Sequence, residues 1–139
     1  MRVVEIRLAH DGELARVGEI TVEAYVDEGF IAPDADYVED LADATARARE
    51  AEVWVAVEDG AVLGSVTFCP SGSAWAELAR NGEGEFRMLG VAASARRRGV
   101  AEALVVRCIE RSSELGYRSI VMSSMPQMAA AHRLYERLG

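Results

Sequence analysis

Between Glu85 and Ala101 the chain reads Glu-Phe-Arg-Met-Leu-Gly-Val-Ala-Ala-Ser-Ala-Arg-Arg-Arg-Gly-Val-Ala, an apolar strand run that passes through a basic turn into a helix start. From Arg97 to Leu115, positions Ala101, Leu104, Val105, Cys108, Ile109 and Ser112 fall on one helical stripe, with Arg107, Glu110, Arg111 and Glu114 left to solvent. Gly116 marks the stop, and Arg118 to Met122 reads as a further short strand. A strand, a covering helix and a returning strand form a crossover between parallel strands, so this segment demands a sheet with a helix packed on its face. The turn has a second consequence. The first N–H groups of a helix have no intrahelical partner and lie at the positive end of its dipole, so a phosphate there gains several hydrogen bonds and a favourable field. Arg96, Arg97 and Arg98 stand beside that helix start.

The rest of the chain supplies partners for this unit. Val3 to Leu8 alternates as a first strand, and Asp11 is a candidate cap for a helix in which Leu14, Val17, Thr21, Ala24 and Tyr25 share a face, broken by Gly29 and Pro33. A second helix is predicted from Tyr37 to about Glu50, with Val38, Leu41, Ala42, Thr45 and Ala48 as its apolar stripe. Val53 to Val57 is a strand covered on both faces, and Asp59-Gly60 turns it back into Val62 to Phe68 as a hairpin. Pro70 to Gly84 is the long connection, with a helical turn at Trp75 to Arg80, and Glu85 to Val91 is the next strand. Gly90 inside that strand calls for a bulge or a close approach by another element. Gln127 to Leu138 forms a last helix after Pro126. The order β-α-α-β-β-β-α-β-α predicts an α/β fold, an α+β sandwich whose mixed, mostly antiparallel central sheet is flanked by helices, in a single domain over residues 1–139.

Composition narrows the partners. A net charge of −8 argues against nucleic acid or an anionic membrane, since both attract positive surfaces. The charge is also unevenly placed: residues 1–95 carry 19 acidic and 7 basic side chains, residues 96–139 carry 4 and 8. Without a run of about 18 apolar residues or a signal-peptide pattern at Met1 to Arg7, the expected compartment is the cytoplasm. Cys69 and Cys108 lie on separate elements without metal-ligand spacing, so they are expected as reduced, buried thiols, and no metal is expected.

The pattern Leu89-x-Val91 followed by Arg96-x-x-Gly99-x-Ala101 resembles the acyl-CoA signature, Arg/Gln-x-x-Gly-x-Gly/Ala, of the GNAT acetyltransferase superfamily. Ala131-x-x-x-Tyr135-x-x-x-Gly139 is similar to that family's second motif, at the family's order and distance. The resemblance covers nearly the whole chain and is specific from Glu85 onward. It departs from the family where Arg97 replaces a frequent Gly and Met128 a frequent Asn. The resemblance implies acetyl-CoA as cosubstrate. The main-chain amides around Arg96, Arg97, Arg98, Gly99, Val100, Ala101 and Glu102 would hold its pyrophosphate, and the exposed backbone of Leu89, Gly90 and Val91 would pair with the pantetheine arm like an added strand. The family's motif also runs on past Gly139 into two further strands, so either a C-terminal tail follows or C-terminal strands are missing here, in which case the open edge invites aggregation or a homodimer whose second copy completes the sheet.

The implied reaction is acetyl transfer to a primary amine by direct attack on the thioester. Tyr135 shares a helical face with Met128, Ala131 and Leu138, which suits an aromatic anchor; the resemblance implies that its hydroxyl protonates the departing thiolate. A phenol titrating near ~10 and a thiol near ~8.5 are close enough for that transfer. An amine near ~10.4 must lose a proton before it attacks. Glu85 occupies the strand position of the family's carboxylate base, with Glu83, His132 and bulk water as rivals. His10 is expected at the surface, Trp54 in the core and Trp75 over the acceptor pocket or in loop packing. Asp27, Glu28, Asp34, Asp36, Glu39, Asp40 and Asp43 form either a solvated face or a rim that steers a cationic amine. No lysine is present, so no side-chain amine exists for self-acetylation. Two rival functions remain: a catalytically silent acyl-CoA sensor or structural module, and a binder of some other phosphate at the same helix start.

Overall fold

The computed structural model describes residues 4–27, 29, 32, 34, 36–73, 82–96 and 98–122. They form β1 (Glu5–Leu8), α1 (Leu14–Asp27), α2 (Tyr37–Ala42), α3 (Ala44–Glu50), β2 (Glu52–Glu58), β3 (Ala61–Cys69), β4 (Glu83–Val91), α4 (Val100–Glu114) and β5 (Ser119–Met122), with single 3-10 turns at Asp11–Glu13 and Ala93–Ala95. The strands lie side by side in chain order as one five-stranded sheet. Pairs β1/β2, β2/β3 and β3/β4 are antiparallel, and β4/β5, joined across α4, is parallel. The expected mixed, mostly antiparallel sheet flanked by helices is therefore the one found. None of the described helices is long and apolar enough to cross a membrane.

Alternation along the strands sorts the core into two layers. Trp54, Ala56, Val66, Phe68 and Phe86 face α4, where Val100, Leu104, Val105 and Cys108 close over them. Val53, Val55, Val57 and Val62 point the other way, against Leu14, Val17 and Ile20 of α1 and Ala44 of α3. Burying each such aliphatic side chain contributes about 1.5–3 kcal/mol, and that fixes strand register, because a one-residue slip exchanges the faces. The predicted α1 face is buried throughout, and so is most of the α4 stripe. Ala101 is half-buried, and Ile109 is 39% exposed at the stripe's edge. Trp54 is in the core, under the Arg107 guanidinium 4.4 Å from its ring centroid.

Two expectations need correction. The helix expected from Tyr37 to about Glu50 is two helices, because Asp43 leaves helical geometry (φ −90°, ψ 67°) and its carboxylate accepts the Ala46 N–H at 3.0 Å as the cap of α3. The break rotates the buried face, so Leu41, Ala44 and Arg47 are buried while Ala42, Thr45 and Ala48 face solvent. The second correction is that β4 begins at Glu83, two residues before the predicted start, because Glu83 and Gly84 pair with Ser119 and Ile120 of β5. Gly84 fits there by lying under the Phe68 ring, 2.9 Å from where its Cβ would be.

Two bulges interrupt the ladders of β3. Val57 pairs with Val62 and Ala56 with Gly64, which leaves Leu63 as an extra residue on β3. Ser65 pairs with Gly90 and Thr67 with Arg87, two steps on β3 against three on β4. Met88 lies inside that second bulge with φ 54°, in the left-handed region, and is 2% exposed. Gly90 comes two residues later, and a Cβ there would stand 3.2 Å from the Thr21 Cα, so α1 rides directly on the β4 backbone.

Where α1 crosses α2 the backbones are closer still, since a Cβ on Gly18 would meet the Ala42 carbonyl oxygen at 2.2 Å. Gly18→Ala must push α2 outward. We expect a loss of about 2–3 kcal/mol, read as a lowered denaturant midpoint at unchanged m-value; a stability within about 0.5 kcal/mol of the parent would disprove this packing.

Candidate functional site

The turn singled out by the sequence ends where Gly99 adopts φ 77° as the N-cap of α4. A side chain at that φ is strained, and glycine removes the strain. The helix's own bonding begins with Ala103 N–H donating to Gly99 O at 3.0 Å, so the N–H groups of Val100, Ala101 and Glu102 point out of the helix end. Gly99 brings no side chain to cap them. The helix starts three residues later than the predicted Arg97, and Arg96 is extended (φ −66°, ψ 152°), which carries the chain around the helix end. Arg97 lies outside the described residues.

The two flanking arginines have local partners. Arg98 Nη2 lies 2.6 Å from Glu58 Oε2, a buried carboxylate at the end of β2. Arg96 Nε donates to Val91 O at 3.3 Å, and its Nη2 lies 3.7 Å from Asp27 Oδ2 at the end of α1. The Val91 contact identifies the open edge of β4. Ala92 N–H donates to Leu63 O of β3 at 2.8 Å, and neighbouring residues of a strand direct their backbone groups to opposite sides, so those of Val91 face away from β3. On that side β5 pairs only with Glu83 to Phe86. Among the described residues, β4 from Arg87 to Val91 therefore has a strand neighbour on one edge alone. Leu89 and Val91 are half-buried there and Gly90 is buried.

The sequence pointed to Glu85 as the base, and the strand directs it to the face covered by α1 and α3. Its side chain is 0% exposed, with Oε2 4.0 Å from Arg87 Nε. Arg87, 7% exposed, donates from Nη2 to Tyr37 Oη at 3.0 Å, and the Tyr37 and Tyr25 rings lie 6.3 Å apart. Behind them Arg47, 1% exposed, donates from Nε to Thr67 Oγ1 at 3.1 Å and from Nη1 to the carbonyl oxygens of Asp40 and Leu41 at 2.6 and 2.9 Å. Burial draws its pKa below the ordinary arginine value. Sequence reasoning missed this polar cluster, although one signal was legible: Glu85 and Arg87, two apart on a strand, must share a face. Nothing in the pattern around Arg47 announced it.

The other candidate residues lie at the surface, in the core or beyond the described segments. Glu83 is tied to Ser119 Oγ at 3.0 Å and lies 3.8 Å from Arg118. His10 is at the surface, as expected, with Nδ1 3.9 Å from Glu13. Asp27, Asp34, Asp36, Glu39, Asp40 and Asp43 are all exposed. Cys69 and Cys108 are free and buried, and desolvation pushes the Cys108 thiol well above its ordinary pKa, so it is no nucleophile. Among the described residues no group of His, Cys, Asp or Glu is arranged to hold a metal. Tyr135, His132, Met128, Trp75 and Glu28 lie outside the described residues.

Known proteins share this fold. The sequence model of the Acetyltransferase (GNAT) family matches residues 14–139. Among curated proteins none matches the sequence. A GNAT-family acetyltransferase from Staphylococcus aureus Mu50 superposes with a TM-score of 0.79 at 15% identity, over 99% of this chain and 84% of that one. An N-acetyltransferase from the same organism gives 0.75 at 25% identity, over 98% and 82%. A GNAT-family acetyltransferase from Brucella melitensis, solved in complex with acetyl-CoA, gives 0.71 at 21% identity, over 100% and 83%. With its family model matched over residues 14–139 and its sheet, bulged strand and bare helix start arranged as they are, this chain belongs to the GNAT acetyltransferase family.

Proposed function

We propose that the protein transfers an acetyl group from acetyl-CoA to a primary amine by direct attack of the amine on the thioester. The observation that carries this reading is the adjacency of two backbone features: the outward N–H groups of Val100 to Glu102 and the edge of β4 from Arg87 to Val91 that has no strand neighbour among the described residues. The first suits a pyrophosphate. The second suits an amide-bearing arm that adds itself as a strand. The residues present thus fit the cosubstrate, and acetyl-CoA supplies the activated acyl group when bound.

The protein's own part is positional and electrostatic. Val100, Ala101 and Glu102 donate main-chain N–H groups to phosphate oxygens, each contact contributing about 1 kcal/mol, or up to about 3 where charge assists. Arg98 is engaged with Glu58, so the backbone does more of this work than three adjacent arginines suggest. Arg96 occupies the Val91 carbonyl, and an incoming arm that pairs with that carbonyl displaces it toward the phosphates. Main-chain N–H groups at the bulge near Leu89 to Val91 are placed to meet the oxyanion as the amine nitrogen bonds to the carbonyl carbon. The C–S bond then breaks, and the thiolate takes the Tyr135 proton. Glu85, sealed beneath α1 and α3, receives the ammonium proton only through an intervening water or group, and bulk water competes for that task. The two buried free thiols fit a reducing compartment, the cytoplasm.

Thiol release measured against a panel of primary amines tests the reading directly. Turnover should appear with at least one amine, and Tyr135→Phe should cut kcat at least tenfold while leaving the calorimetric Kd for CoA unchanged. A protein that merely holds acyl-CoA would release no thiol with any amine. Gly99→Ala, forced to φ 77°, should lose about 1 kcal/mol of stability and weaken CoA several-fold; an unaltered CoA affinity would remove the helix start from the site.

A further inference from the structure

At the end of the sheet remote from β5, β1 has a strand neighbour on one edge alone among the described residues. Ala9 N–H donates to Val53 O at 2.9 Å, and neighbouring residues of a strand turn their backbone groups to opposite sides. Glu5 and Arg7 therefore bond toward β2, while Val4, Ile6 and Leu8 turn their N–H and C=O groups outward. This edge is not blunted in the usual ways: its register with β2 is unbroken by a bulge, and it carries neither proline nor lysine. Side chains alternate too. Val4, Ile6 and Leu8 share the α4 face, where Ile6 packs on the core and Val4 and Leu8 stand 36% and 48% exposed. Glu5 and Arg7 share the other face, joined by a 2.8 Å bond from Arg7 Nε to Glu5 Oε1, with both Nη atoms of Arg7 held by Glu13.

We infer that this edge pairs with the same edge of a second copy of the chain, antiparallel about a two-fold axis at Ile6. Outward groups find outward groups only when Val4, Ile6 and Leu8 stand opposite members of their own set, which leaves few registers. With the axis at Ile6, that residue exchanges both backbone bonds with its counterpart, and Val4 does so with the second copy's Leu8. The two exposed apolar side chains then cover each other. On the other face Glu5 stands opposite the second copy's Arg7, and Arg7 opposite its Glu5, so two carboxylates and two guanidinium groups form a neutral cluster. Moving the axis to Glu5 or to Arg7 also matches the backbone groups, but it sets like charges against each other in the closely spaced, non-hydrogen-bonded pair. Charge thus selects the one register that uses the whole strand. The contact is self-complementary and closes on itself, so it ends at a dimer with one continuous sheet. The join lies at the opposite end of the sheet from β4 and β5, and it is independent of the reaction proposed above.

Analytical ultracentrifugation of the full chain over a dilution series tests this. The chain should sediment at twice its own mass and dissociate on dilution. Glu5→Arg, which sets arginine against Arg7 across the axis, should weaken the dimer at least tenfold while the circular dichroism stays that of the parent. Arg7→Glu should weaken it likewise, and an equal mixture of the two variants should regain the dimer, because opposite charges again face each other on both sides. Arg7→Glu also takes the partner of Glu13 away, so its folding is checked first. If it does not fold, Leu8→Pro takes its place: the N–H it removes points away from β2, and the variant should be monomeric. A parent chain that stays monomeric at every concentration would overturn the inference. So would a dimer that Glu5→Arg or Leu8→Pro leaves intact, which would put the join at another edge, or two folded charge variants whose mixture remains monomeric.

Discussion

The left-handed Met88 at the centre of β4 is the constraint on which the rest of the structure depends. A non-glycine residue in that conformation costs roughly 1–2 kcal/mol, and it persists here because both ends of the strand are fixed by other means. Before it, Glu83 to Phe86 pair with β5, and Glu85 and Phe86 pair with β3 as well. After it, Gly90 lies under α1 and Ala92 is bonded to Leu63. The extra residue between these anchors shifts the β3–β4 register. The start of α4 follows on the same strand–helix–strand crossover.

The same strand divides the molecule's chemistry between two faces. On the α4 side β4 contributes Phe86 and a Gly84 packed under Phe68, and the layer is apolar. On the α1 side it contributes Glu85 and Arg87, facing Ser65, Thr67 and Thr21 at the sheet–helix contact. Burial of polar groups is costly unless partners are supplied. This face supplies most of them through short contacts: Thr21 to Val17 O at 2.7 Å, and Arg47 to the final carbonyls of α2. An apolar face would have been the simpler way to stabilise a domain of this size. Here the polar face lies next to a stretch of β4 that has a strand neighbour on one edge alone among the described residues.

What could be read from the sequence divides along physical lines. Elements governed by local rules were legible: the Asp59-Gly60 turn with both residues at positive φ, the α1 face, the core of the α4 stripe, and the glycine at the start of α4. The close approach anticipated at Gly90 is there, made by α1. What failed depended on contacts distant in sequence. Asp43 has a helix-interior neighbourhood by propensity, and only capping of α3, with Arg47 bridging to the ends of α2, turns it into a break. Glu83 and Gly84 read as loop because their strand character comes from pairing with β5. The ion pair of Arg98 with Glu58, 40 residues earlier, is likewise absent from the local pattern. The place of Glu85 on β4 was legible, but its complete burial was not, being a property of the helices above it.

The absence of lysine, which by itself says only that arginine is favoured in composition, acquires structural meaning at these sites. Arg47 joins a threonine hydroxyl on β3 to two carbonyls on α2 with one rigid fork, and Arg111 reaches both oxygens of Glu52 at 2.9–3.1 Å. Arg107 bonds both oxygens of Glu114 while its guanidinium lies over Trp54. A lysine ammonium has three donors around a single atom and no plane, so it cannot bridge two elements with fixed geometry or stack on an indole in the same way. It is also more strongly hydrated and loses its proton more readily when buried. A guanidinium retains its charge under cover, so the face beneath α1 to α3 holds the positive charge of Arg47 and Arg87 next to the buried Glu85 carboxylate.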